Sequence, residues 1–208
     1  MNLPGHHLTP EPSEFPALRL SDYVRALELA CQHIRPDALC GHSMGGLLTL
    51  KLLEHGIARV GVLVTPVAPG SQGAQQMSRV LASFAEAGDQ PPQEWFAREK
   101  VFGRLSPPDR DRFVALFGRE PDSVNADLVT GALAVEQLPL GTRLLVVGCD
   151  QDPIAPVELL RGLAPSLGGE YLNLSGMGHE PMLEPGWEHA AAAVLTWLAR
   201  PAIERGDA

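Results

Sequence analysis

Residues Gly41-His42-Ser43-Met44-Gly45-Gly46 impose a sharp corner on this chain. The run Ala38-Leu39-Cys40 before them reads as the end of a strand. Leu47-Leu48-Thr49-Leu50-Lys51-Leu52-Leu53 after them reads as a helix, apolar nearly all round, that stops at Gly56. A strand that turns directly into a helix needs a strained turn. Glycines two residues to either side of Ser43 are expected to remove the Cβ atoms that would clash there, leaving the serine Oγ pointing outward. The helix N-terminus behind it supplies free backbone N–H groups and a positive dipole end, both suited to a developing oxyanion. Gly-x-Ser-x-Gly is also a pattern that Gly-rich turns produce by chance. Its weight therefore depends on a strand before it, a buried helix after it and partners for the serine further on.

The rest of the chain supplies that context. Tyr23, Val24, Leu27, Cys31 and Ile34 fall at helical spacing after Ser21, a candidate N-cap, and this helix is predicted to end before Pro36. Short, nearly continuous apolar runs at 59–64, 143–147 and 170–174 read as strands of a parallel sheet covered on both faces. Helices are predicted at 156–167, with proline in the first turn, and at 187–198. Alternating strand and helix define an α/β doubly wound sheet. The Pro-rich segment up to Leu20 reads as an extended loop.

Between 67 and 140 the alternation breaks into short amphipathic helices around 72–87, 93–102, 108–117 and 123–137. Five of the six phenylalanines (Phe84, Phe96, Phe102, Phe113, Phe117) and Trp95 lie there. As a group they read as a cap roofing an apolar pocket. The expected organisation is one core domain made of residues 1–66 and 141–208, with 67–140 inserted as a helical cap.

A serine hydroxyl is a poor nucleophile at neutral pH and needs a base, for which histidine is suited; a carboxylate then fixes the imidazole tautomer. The strand at 143–147 runs into Gly148-Cys149-Asp150-Gln151-Asp152-Pro153, which places two aspartates at a strand's carboxyl end. The strand at 170–174 runs into Ser175-Gly176-Met177-Gly178-His179. Serine, aspartate and histidine thus follow one another in the order of the α/β-hydrolases, each after its own strand.

On these residues the chain resembles the α/β-hydrolase superfamily, in the branch with a helical cap. The matching pieces are residues 41–46, Asp152-Pro153-Ile154-Ala155-Pro156, the stretch from Gly178-His179-Glu180-Pro181 to Pro185, and the Pro4-Gly5-His6 loop. The resemblance implies Ser43 as nucleophile, His179 as general base, Asp152 as orienting acid and the Met44 N–H as one oxyanion donor. Two departures stand out. The family's acid lies three residues after the glycine that ends the strand, whereas Asp152 lies four after Gly148, so Asp150 stays open as a second candidate. The family also places the first half of its sheet, with the loop that supplies a second oxyanion donor, before the Pro-Gly-His loop. Those strands are expected to be absent here, which leaves the serine strand as an exposed edge prone to self-association. A misassigned start would restore them.

Composition narrows the functional classes. The chain of 208 residues is 45% hydrophobic with net charge −9, and has no Lys/Arg cluster, so nucleic acid and anionic membranes are not expected partners. No apolar run approaches a membrane span, and the first residues carry neither a basic leader nor an apolar stretch; a cytoplasmic location follows as the expectation. Cys31, Cys40 and Cys149 read as buried small hydrophobes in a reducing compartment. His6, His7, His33, His55 and His189 show no ligand spacing and are assigned to surface or cap positions, while His42 is expected to pack beside the turn. No phosphate loop or zinc pattern is present, so no cofactor or metal is expected. The reading is a serine hydrolase acting on a small carboxylic ester, thioester or related acyl substrate. C–C bond hydrolysis, perhydrolysis and acyl transfer use the same triad and stay open. The alternative is a truncated or degenerate hydrolase fold that binds a ligand or partner with little turnover.

Overall fold

The computed structural model of the protein describes residues 2–6 and 13–201. Four strands form one parallel sheet in sequence order: β1 (Ala38–His42), β2 (Val60–Val64), β3 (Arg143–Cys149) and β4 (Glu170–Leu174). Pairing runs in register from Ala38↔Val60 to His42↔Val64, from Val60↔Arg143 to Val64↔Val147 and from Leu145↔Glu170 to Cys149↔Leu174. The three crossovers are helical. They are α2 (Met44–Glu54), the stretch holding α3 (Gly70–Ser83), α4 (Pro92–Phe96), α5 (Pro107–Val114) and α6 (Asp122–Thr130), and finally α7 (Val157–Ser166). Helix α1 (Leu20–Ile34) precedes the sheet and α8 (Trp187–Leu198) follows it.

The period of two along the strands divides the core. Leu63, Leu144 and Val146 face Leu50 and Leu53 of α2 and Leu160 and Leu163 of α7. Val62, Leu145, Val147 and Cys149 face α8, whose Trp197 is 2% exposed. Helix α2 is apolar all round because it is covered twice. Leu50 and Leu53 pack on the sheet, while Leu47, Leu48 and Leu52 pack beneath Tyr23 and Val24 of α1 and Val124 and Leu128 of α6. This two-sided burial fixes the helix that follows Ser43.

Several boundaries differ from the sequence reading for identifiable reasons. Ser21 does not cap α1. The helix starts two residues earlier than that cap implies, with Asp22 accepting from the Arg19 N–H and Asp127 of α6 accepting from the Leu20 N–H, a cap supplied from a distant helix. Arg19 closes the link with an ion pair to Asp127. Helix α6 stops at Gly131 instead of reaching Gln137. Gly131 adopts φ +65°, and a Cβ there would lie 2.2 Å from the Gly70 carbonyl oxygen. Strand β3 continues through Gly148 to Cys149, because the missing Cβ leaves room for Tyr171, whose hydroxyl would be 2.5 Å from it. Cys31 and Cys149 are buried as expected, but Cys40 is exposed, since β1 is the edge of the sheet among the described residues. The segment before α1 includes a 3-10 turn at Phe15–Ala17, and His7 lies outside the described residues.

Candidate active site

Ser43 lies between the last residue of β1 and the first of α2, with φ 52° and ψ −121°. An L-residue there is strained by about 1–3 kcal/mol and is tolerated only where its surroundings over-determine it. Here they do: the Ser43 N–H donates to the Val64 carbonyl at 3.0 Å, and its own carbonyl accepts from Gly46 and Val67 N–H at 2.9 and 3.0 Å. The glycines act differently from expectation. A Cβ on Gly41 would lie 2.1 Å from the Gly45 oxygen, so Gly41 is required. A Cβ on Gly45 would meet nothing within 4 Å, whereas one on Gly46 would lie 2.6 Å from Pro66 Cβ. The second obligatory glycine of the turn is therefore Gly46.

The loops after β3 and β4 bring the two expected partners to the serine. His179 Nδ1 lies 2.9 Å from Asp152 Oδ2, and His179 Nε2 lies 3.1 Å from Ser43 Oγ. Asp152 and His179 are 8% and 4% exposed. The other carboxylate oxygen of Asp152 accepts from the Ile154 and Ala155 N–H groups at 2.7 and 3.1 Å. That arrangement orients the carboxylate, which then accepts a hydrogen bond from His179 Nδ1–H and leaves Nε2 as an acceptor for the serine hydroxyl. Strand β3 ends at Cys149 rather than at Gly148, so Asp152 lies three residues beyond the end of the strand. Asp150 is not a free loop carboxylate. It accepts from Ser175 Oγ and the Gly176 N–H, both at 2.7 Å, and so fastens the β3 loop to the β4 loop; these bonds hold its carboxyl below the usual carboxylate range.

The His179 loop is gripped from three directions that sequence reasoning missed. The backbone carbonyl of His179 accepts from His42 Nε2 at 2.8 Å and from the hydroxyl of fully buried Thr65 at 3.1 Å. Thr65 has φ 42°, so both residues flanking the β1–β2 pair at its carboxyl end are strained toward the site. Burial, and the neighbouring His179 imidazole, hold His42 down to about 4. Below, buried Glu184 accepts from the Gly178 N–H through both oxygens, at 3.0 and 2.9 Å. Arg104, from the helical stretch between β2 and β3, pairs with Glu184 at 3.2 Å and donates to the Gly176 carbonyl at 2.5 Å. Apart from the Glu184–Gly178 contact, which lies within one loop, these contacts have no sequence signature, because each joins residues far apart in the chain.

Met44 occupies the first position of α2, where a backbone N–H has no acceptor within its own helix. His42, His179 and Glu180 place one potential ligand atom each within 4.8 Å of one another. Both imidazole Nε2 atoms are engaged in the hydrogen bonds just described, so a cation there would have to displace them.

Three of the five cap phenylalanines line a cleft of about 410 Å³: Phe102, Phe113 and Phe117, with Leu116, Leu183, Gly118, His6, Glu120 and Glu180. Phe84 and Phe96 instead pack edge to face with each other, and Trp95 is buried under Lys100. A second cavity of about 460 Å³ is walled entirely by residues 91–117 and touches none of the Ser43, Asp152 or His179 loops. His6 is more than a surface residue. Its Nε2 lies 2.9 Å from the Tyr23 hydroxyl and 3.3 Å from Glu120.

Fold and sequence together define the class of protein. The alpha/beta hydrolase family model matches residues 1–194, and the chain belongs to that family. Among solved structures it is similar to polyneuridine aldehyde esterase, with 18% identity over 90% of this chain and 83% of that one, TM-score 0.68. It is likewise similar to an esterase from Exiguobacterium antarcticum (18% identity, 96% and 80% covered, TM-score 0.66) and to a thermophilic esterase from Thermogutta terrifontis (17%, 87% and 72%, TM-score 0.65). At these identities the likeness establishes the fold. No protein of curated function matches the chain in sequence. No helix among the described residues is long and apolar enough to cross a membrane.

Proposed function

We propose that this protein is a serine hydrolase that cleaves a small carboxylic ester, thioester or related acyl substrate. The observation that carries the reading is the unbroken chain of hydrogen bonds from Asp152 through His179 to Ser43, at 2.9 and 3.1 Å, between residues carried by three different loops. Ser43 Oγ attacks the acyl carbon while His179 Nε2 takes its proton, and the imidazolium is stabilised by Asp152. The Met44 N–H, at the head of α2, donates to the carbonyl oxygen as it becomes an oxyanion. His179 then gives its proton to the leaving oxygen or sulfur, and water repeats the sequence to release the acid and restore Ser43. The three free cysteines support a reducing compartment such as the cytoplasm.

Labelling with a fluorophosphonate probe tests the nucleophile, because only a base-activated hydroxyl reacts readily. Ser43 is expected to be the labelled residue, with labelling abolished in Ser43→Ala and severely slowed in His179→Ala. Equal labelling of the parent and Ser43→Ala would remove the assignment.

A further inference from the structure

The cleft of about 410 Å³ has two unlike walls. Its apolar wall is aromatic: Phe102 stacks with Phe113 and meets Phe117 edge to face, each pair with centroids 5.8 Å apart. Its polar wall carries two carboxylates, Glu120 and Glu180, and His6, with no lysine or arginine among its described lining residues; the Arg112 guanidinium stands outside that lining, 5.6 Å from the Phe113 centroid. Aromatic faces carry negative electrostatic potential and attract cations, most effectively those too large to hold a tight hydration shell. We infer that this cleft binds an alkylammonium or quaternary ammonium group, with the rings of Phe102, Phe113 and Phe117 as its cage and Glu120 and Glu180 as its counter-charges.

Two observations support the choice of a cation over a neutral apolar guest. Among the described residues neither carboxylate is matched by a permanent cation on the cleft wall: Glu120 is held by the Tyr23 hydroxyl at 3.0 Å and by His6, and Glu180 stands 4.0 Å from His42. Burial accordingly pushes both carboxyls up, Glu180 to about 7, with His179 opposing the shift and Asp152 and Glu184 adding to it. A bound ammonium group would supply the charge these carboxylates lack. Glu180 also follows His179 directly in the chain, so one wall of the cleft belongs to the loop that carries the proposed base. On the esterase reading above, the cation is part of the substrate, in its alcohol or acyl portion; the binding itself does not depend on that reading.

Calorimetric titration of the full chain with choline and with 3,3-dimethylbutan-1-ol separates charge from shape, since the two differ by a nitrogen for a carbon. Choline is expected to bind at least about fivefold tighter. Phe117→Ala is expected to weaken choline by about two- to fivefold, as for an exposed cation–π contact, with little effect on the neutral alcohol. Glu120→Gln is expected to bring the two ligands close to parity. Because Glu120 also holds Tyr23, Glu180→Gln provides the same test from the opposite wall should Glu120→Gln lose its fold. Equal binding of the two ligands by the parent chain, or a choline preference that survives both carboxamide substitutions, overturns the inference. Comparing hydrolysis of a choline ester with its 3,3-dimethylbutyl counterpart then places the cation in the substrate. Tighter choline binding with neither ester hydrolysed would refute the proposed esterase activity and leave the cleft's charge preference standing.

Discussion

Replacing Asp152 by asparagine should silence the chemistry while leaving the fold intact, and the local hydrogen bonds say why. Oδ1 accepts from two backbone N–H groups, Ile154 and Ala155, and Oδ2 faces His179 Nδ1. A carboxamide has one accepting oxygen. Turning its NH2 toward the backbone would set donor against two donors in a buried site, at about 1–3 kcal/mol for each N–H left unsatisfied. The oxygen therefore stays with Ile154 and Ala155, and the NH2 confronts Nδ1. His179 must then accept at Nδ1 and carry its proton on Nε2, toward Ser43, where it can no longer take one. The expected loss is about 10⁴ in kcat, or about 5.5 kcal/mol at 1.36 kcal/mol per decade. The unfolding midpoint should move little, since the backbone bonds persist. Asp152→Ala separates the two roles: it loses activity and also strands both N–H groups, costing about 2–6 kcal/mol of stability. Steady-state hydrolysis of a chromogenic ester with urea unfolding of all three proteins checks this. An Asp152→Asn protein retaining more than about a tenth of parental turnover would refute the tautomer argument. Asp150→Asn, whose partners lie in the Ser175–Gly176 turn, should lose less than about tenfold; the reverse ranking would transfer the acid role.

Two further perturbations test the surroundings of the site. Glu180 has its folded pKa raised from 4.5 to about 7, so the native state holds a proton that the unfolded chain releases; stability from this group is full below about pH 4.5 and is lost as pH rises through 7. Glu180→Gln should therefore match the parent near pH 4 and exceed it above pH 7, by at most on the order of 3 kcal/mol in urea unfolding; a pH-independent difference would sink the idea. His42, lowered to about 4, works in the opposite sense, contributing above pH 6.5 and failing as pH falls through 4, so the comparison must be made variant against parent at each pH. In the nucleophile turn, Gly46→Ala should cost about 1–3 kcal/mol through the clash with Pro66, whereas Gly45→Ala should be neutral or stabilising by up to about 1 kcal/mol in thermal unfolding. Equal losses at the two positions would show that the turn, not the clash, sets the requirement.

The elements that could be read from sequence are those determined locally. The apolar runs at 59–64 and 143–147 form covered strands as expected, whereas 170–174 is an end strand with only Leu174 buried; each is found within two residues of its expected limits. The order serine, aspartate, histidine was legible because each residue follows its strand directly. What stayed hidden depends on distant partners. The cap of α1 is supplied by Asp127, the anchorage of the His179 loop by His42, Thr65 and Arg104, and the role of His6 by Tyr23 and Glu120. The glycine requirement was misread for the same reason: whether a Cβ fits beside residue 45 or 46 is decided by Pro66, on another strand's loop.

The double burial of α2 has a consequence for how the molecule yields to its surroundings. With Leu50 and Leu53 against the sheet and Leu47, Leu48 and Leu52 beneath α1 and α6, the amides behind Ser43 are freed only when the whole core opens. Helix α5, on the far side of the cleft, buries none of its residues. Solvent deuterium should therefore enter α5 through small local openings long before it reaches α2. Phe113 of α5 lines the cleft, so guests of different outline can be admitted by deforming that wall alone while α2 keeps its place.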